Sequence, residues 1–203
     1  MTTTGVFGVS AVAFNNAIVL HDGDLMASVF IHLTPTTAAW CFRWYREEHE
    51  KLWPGLFGIP IDHDFTFWEM FIPAMKIYMI WWVLNLSWLL TYAKKLGQPH
   101  YEQDTLFAWC AKNYPNFFKW AYNYDDTKPQ ANWPRIGFML THILYAGASC
   151  SIAYPLYHYY WAHCLYLIII FSICAWNGAN RYFKMMTIYY EKALEKKLGM
   201  KID

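Results

Sequence analysis

An all-helical bundle that crosses a membrane four or five times, with one further helix in the membrane interface, is the fold this sequence predicts. Three observations carry it. Hydrophobic residues make up 57% of the 203 and aromatic residues 21%, while only 15% are charged. A soluble domain carries about a quarter charged residues. The apolar residues gather in runs near the length of about 20 residues that a helix needs to span lipid. Alternating ten-residue segments are absent, so a closed barrel is not available and helices must satisfy the backbone in lipid. Mean hydropathy is only +0.10, because the polar stretch 93–135 and the tail 184–203 dilute it.

The elements follow in order, as one transmembrane domain over residues 1–203. Residues 6–20 read as a weak first span, short and interrupted by Asn15 and Asn16. Residues 25–45 form the next span and end in Arg43, Trp44, Tyr45 and Arg46, a belt of aromatic and basic anchors. Residues 47–66 hold Pro54, Gly55, Gly58 and Pro60 and read as a loop. Residues 67–92 form the strongest early span, with Trp81, Trp82 and Trp88, a kinking Pro73 and an internal Lys76. Within 93–135, Thr105–Tyr124 reads as a helical segment lying in the interface, divided at Pro115, with Lys112 and Lys119 towards headgroups. Residues 136–157 and 159–183 are two more spans around a turn at Pro155–His158, and Tyr189–Lys201 is a charged amphipathic tail.

Basic residues give an orientation. Lys94, Lys95, Lys112, Lys119, Lys128 and Arg135 lie in the polar stretch, and Arg181, Lys184, Lys192, Lys196, Lys197 and Lys201 at the tail. Two spans separate these groups, so both are assigned to the cytosol. A net charge of +1 argues against a nucleic-acid groove. Residues 1–20 carry no basic n-region of a secretory signal. Cys41, Cys110, Cys150, Cys164 and Cys174 are scattered, without a CxxC or a zinc spacing, and read as buried free thiols. Asn85-Leu86-Ser87 has the glycosylation pattern but lies inside an apolar run.

Asp24, Ser28, Ile31-His32-Leu33, Pro35 and Arg43-Trp44 form a first block. Pro73, Tyr78 and Trp81 form a second, and Trp176-Asn177-Gly178 a third. In order and spacing these blocks, across residues 12–192, resemble the glycerophosphocholine acyltransferase family of fungi, plants and protists. The resemblance implies an integral enzyme of the endoplasmic reticulum. It would move an acyl chain from acyl-CoA, a co-substrate, to sn-glycero-3-phosphocholine, giving lysophosphatidylcholine and CoA with no bound cofactor. Leu25 stands where the family has a basic residue, and Trp82 where it has Gln. Family members carry further helices ahead of the first block, so a short or truncated member is expected.

Acyl transfer to an alcohol needs a base for the hydroxyl proton and donors for the oxyanion at the thioester carbonyl. His32 is the base candidate, an ionisable side chain alone inside a span; the alternative is a histidine hydrogen-bonded to another helix. Asn177 offers an amide for the oxyanion or headgroup, beside Trp176, against the alternative of helix–helix hydrogen bonding, while Gly178 lets a helix approach closely. Asp24 lies eight residues before His32, about 12 Å along a helix, and reads as a helix cap or a choline contact. Arg43 suits phosphate and Trp44 a quaternary ammonium, against the alternative of an interfacial anchor. Lys76 could meet phosphate or snorkel, and Trp81 could line the site or pack.

His142, His158 and His163 lack a metal spacing, and Asp62-His63-Asp64 is a loop cluster with little metal potential. No G-x-S-x-G, HEXXH, phosphate-cradling glycine loop or HxxxxD box occurs around these residues. The rival to the enzyme is a non-catalytic membrane protein, a truncated relative that binds phosphocholine lipids or a partner chain. A transporter has no internal repeat to support it.

Overall fold

The computed structural model describes residues 1–58, 63–92, 105–124 and 132–198. Asp62 and Pro60 of the loop, Lys94, Lys95 and Lys128 of the polar stretch, and Lys201 of the tail lie outside these residues. Every regular element among the described residues is helical. A π-helical turn, Thr3–Phe7, leads into α1, Gly8–Ala13. Then come α2, Gly23–Trp44, α3, Arg46–Leu52, and α4, Phe67–Leu90. Two short helices follow, α5, Leu106–Asn113, and α6, Pro115–Tyr122. The last two are α7, Asn132–His158, and α8, Tyr160–Leu198. Helices α2, α4, α7 and α8 are each long and apolar enough to cross a membrane, so the chain is an all-helical, multi-pass membrane protein.

Four boundaries differ from the sequence reading. The first apolar helix stops at Ala13 rather than running to residue 20, and is too short to span. Asn15 ends it with a left-handed backbone (φ 51°), a conformation that asparagine tolerates well. The expected loop 47–66 contains α3. The expected turn at Pro155–His158 is helix, and only Tyr159 falls between α7 and α8. Hydrogen bonding continues across it, since Tyr159 N–H donates to Pro155 O and His163 N–H to Tyr159 O, both at 3.0 Å. Proline has lost its own donor but its carbonyl still accepts. The last span and the tail are one helix of 39 residues.

The chain divides into two compact units: residues 1–67 with 149–203, and residues 68–148. In the first, Ala11, Val29, Leu33, Ile170 and Cys174 bury the seam between α1, α2 and α8. Thr36, fully buried, shares its one hydroxyl proton between Thr3 O at 2.8 Å and His32 O at 3.0 Å. Tyr166 on α8 donates to Thr4 O at 2.5 Å. The N-terminal turn is thus hydrogen-bonded to α2 and α8 where its own carbonyls would otherwise be unpaired.

The second unit has an aromatic core of Phe107, Phe118, Tyr122 and Phe138 with Leu89, Ala111 and Met139. Phe107 meets Phe118 and Phe138 edge-on at 5.6 and 5.5 Å, the geometry that ring quadrupoles favour. The aromatic face of α5 and α6 is therefore largely consumed inside the unit, while Phe117 and Trp120 stay exposed. Pro115 opens α6 as its first residue, and Thr105 caps α5 by accepting from Ala108 N–H at 3.1 Å.

Candidate functional site

The central polar cluster of the first unit is built on Asn16. Residues 14–22 cross from α1 to α2 without helix, so their backbone groups need outside partners. Ile18 N–H donates to Cys174 O at 3.0 Å, and Asn177 Nδ2 donates to Asn16 O at 3.1 Å. Gly178 makes this approach possible, because a Cβ there would overlap the Ile18 carbonyl. The Asn16 side chain, buried, then faces α2. It accepts from Ser28 Oγ at 2.9 Å and donates to Ser28 O at 3.1 Å.

His32 completes the cluster. Its Nδ1 lies 2.7 Å from Ser28 O and 2.9 Å from Asn16 Nδ2. Two lone pairs repel at the shorter distance, so the carbonyl approach requires a proton on Nδ1. Ser28 O then accepts from the ring N–H and from Asn16 Nδ2 together, and Asn16 Oδ1 keeps its bond from Ser28 Oγ. In this tautomer Nε2 is the lone-pair nitrogen, and it has no hydrogen-bond partner among the described residues. Phe14 and Phe7 pack on the ring at 5.8 and 6.3 Å between centroids. The arrangement holds one nitrogen, leaves the other free, and lines the ring with apolar surface. Chemically it can take a proton at Nε2.

His32 and Asn177 are thus brought together through a residue between them. The Asn177 amide spends one N–H on Asn16 O; its second has no partner among the described residues. The other expected site residues stand apart. Arg43 lies eleven positions beyond His32 on the same helix, about 16 Å along the axis. Its Nε donates to Tyr157 O at 2.9 Å, and its guanidinium stacks over the Tyr157 and Trp44 rings at 4.1 and 4.8 Å. Trp44 donates through Nε1 to Nδ1 of the buried His163 at 3.2 Å, and its ring meets Tyr160 at 5.2 Å. Both side chains are occupied in holding α2 to the start of α8 and the end of α7.

Asp24 is exposed in the first turn of α2, and the cap is Asp22, whose Oδ1 accepts from Leu25 N–H at 3.0 Å. The sequence reading placed the cap two residues too late, because both aspartates precede the apolar run. Trp176 is 69% exposed. Lys76 and Trp81 belong to the second unit. Lys76 is exposed on α4 in a shallow apolar groove with Trp68, Met75 and Met79. Trp81 packs against Tyr78 and His142 at 5.3 and 6.4 Å, and Tyr78 donates to His142 O at 3.1 Å.

His158 Nδ1 pairs with Asp64 Oδ1 at 3.4 Å. No group of three metal-ligating side chains comes together among the described residues. Sequence reasoning missed Asn16 and treated Ser28 only as a matched position. The available signal was physical: a buried amide in an apolar segment must be hydrogen-bonded. No family model, curated protein or solved structure matches the chain.

Proposed function

We propose that this protein is a membrane-embedded acyltransferase that moves an acyl chain from acyl-CoA to sn-glycero-3-phosphocholine, giving lysophosphatidylcholine at the endoplasmic reticulum. The observation that supports it most is the state of His32. A general base needs one ring nitrogen oriented by a fixed partner and the other open to substrate. His32 has Nδ1 against Ser28 O and Asn16, and Nε2 without a partner among the described residues.

In this reading His32 Nε2 takes the proton of the glycerol hydroxyl as its oxygen attacks the thioester carbonyl. The free N–H of Asn177 stabilises the oxyanion that forms. As the C–S bond breaks, the imidazolium returns the proton to the leaving thiolate, giving free CoA and the new ester. Asn16 is a positioning residue, acting through His32. Arg43 and Trp44 hold the far end of α2 rather than the reacting groups, and membrane lipid surrounds the exposed apolar faces.

The test is an assay of membranes from cells that express this chain, supplied with labelled glycerophosphocholine and acyl-CoA. Wild-type membranes should yield labelled lysophosphatidylcholine, and His32→Ala, present at equal level in the membrane, should yield none. An active His32→Ala removes the base; an inactive wild type removes the reaction.

A further inference from the structure

Next to the Asn16 cluster the first unit holds a groove of about 320 Å³ with an apolar floor that includes Val19 and Ile188 and a rim of His21, Asp22, Arg181, Tyr182 and Lys184. That size is at the small end of ligand sites, right for a headgroup rather than a whole nucleotide. Its walls carry both signs of charge. Arg181 and Lys184, three apart, share one face of α8. Both are exposed, and neither has a hydrogen bond or ion pair among the described residues.

The opposite wall is Asp22. One of its oxygens caps α2, and the other has no partner among the described residues. Tyr182 is fixed between them. Its hydroxyl accepts from Leu20 N–H at 3.0 Å and lies 3.2 Å from His21 Nδ1, with the His21 ring packed on it at 5.1 Å. A pocket with two unpaired cations, one carboxylate and an aromatic face suits a zwitterion better than an anion.

We infer that this groove is a headgroup site for a zwitterionic glycerophosphodiester: Arg181 and Lys184 take the phosphate, and Asp22 with the Tyr182 ring takes the quaternary ammonium. Guanidinium and ammonium groups pair with phosphate oxygens, and an aromatic face attracts a tetraalkylammonium. The link to catalysis rests on the acyl-transfer reading above.

Length decides between the two phosphate sources in that reaction. Arg181 is one turn beyond Asn177, about 6 Å along α8. From the terminal glycerol hydroxyl to the phosphorus of a glycerophosphodiester is roughly five bonds, about 6 Å extended. From the sulfur of CoA to its first phosphorus is roughly thirteen bonds, about 16 Å. The acceptor fits the one-turn spacing and CoA overshoots it.

The experiment uses the purified full chain in dodecyl maltoside micelles and measures binding of radiolabelled glycerophosphocholine by equilibrium dialysis, with glycerol 3-phosphate as second ligand. The double variant Arg181→Gln, Lys184→Gln should weaken glycerophosphocholine binding roughly 10- to 100-fold. In turnover it should raise the KM for glycerophosphocholine and leave that for acyl-CoA unchanged. Asp22→Asn keeps the helix cap, since asparagine caps as well as aspartate. It should weaken glycerophosphocholine binding while glycerol 3-phosphate binds as before.

Four results overturn the inference: no binding by wild type, unchanged binding in the double variant, a KM change confined to acyl-CoA, or equal loss of both ligands in Asp22→Asn. Wild-type binding without acyl transfer would keep the headgroup site and remove the acyltransferase reading.

Discussion

Asn177 donates its side-chain amide to the backbone carbonyl of Asn16, 161 residues earlier in the chain and 3.1 Å away. The bond fixes the non-helical crossing 14–22 against α8 at the level where Asn16 meets His32. A segment that cannot satisfy its own carbonyls in an apolar surrounding thereby becomes the support of the one histidine in α2. Each end of the Asn16 residue has a different task, its backbone towards α8 and its side chain towards α2.

Asn16→Ala separates these tasks. The backbone bond to Asn177 survives, while Ser28 Oγ and Ser28 O lose their side-chain partner beside His32. Breaking a buried polar network leaves groups unpaired at about 1–3 kcal/mol. The expected outcome is a lower melting temperature in detergent and, on the proposed acyl-transfer reading, a kcat reduced roughly 10- to 100-fold, as a misplaced general base would give. The KM for acyl-CoA should stay unchanged. A kcat equal to wild type would show that Asn16 supports the fold alone.

Gly178→Ala tests the close approach of the crossing segment to α8. The added Cβ meets the Ile18 carbonyl, its carbon and its nitrogen, all backbone atoms with no rotamer to yield. Overpacking of this kind costs about 1–3 kcal/mol. The melting temperature should fall, and the Asn177–Asn16 bond should open with it. Gly23→Ala serves as the control, since a Cβ at Gly23 meets nothing within 4 Å.

Much of this architecture is legible in the residues, and the exceptions have physical causes. The four long apolar helices are visible because lipid demands runs of about 20 residues. The first segment was overestimated because hydropathy does not register the left-handed turn at Asn15. The continuity through Pro155 was missed because proline at that point forfeits a single donor, which helix flanks can absorb. For the site, His32 and Asn177 stood out as polar groups in apolar runs. Arg43 and Trp44 stood out equally, yet the fold spends them on Tyr157 and His163. Sequence shows that such groups need partners; which partner each one finds depends on tertiary packing.

Trp44→Phe checks that structural assignment. Phenylalanine keeps the ring against Tyr160 but removes the Nε1 donor, leaving Nδ1 of the buried His163 unpaired. The expected loss is about 1–2 kcal/mol of stability, read as a lower melting temperature, with the KM for glycerophosphocholine unchanged. Arg43→Lys should act in the same direction, because an ammonium cannot both stack on two rings and reach Tyr157 O as the planar guanidinium does. A rise in glycerophosphocholine KM without loss of stability would return both residues to the substrate.

Cys110 gives a prediction with a pH dependence. Burial on α5 pushes its thiol up from 9.0 to about 11. A raised value means that the folded state holds the proton more tightly than the unfolded state. The stabilisation is therefore complete below pH 9 and is lost as pH rises through about 11. At pH 8 the native thiolate fraction is about one in a thousand, against about one in ten when unfolded. Maleimide labelling of the native chain at pH 8, read by mass spectrometry on the peptide that contains Cys110, should be about 100-fold slower than after denaturation. The native rate should climb steeply up to pH 10, whereas equal rates before and after denaturation would place this thiol in water and contradict its packing beside the aromatic core of α5 and α6.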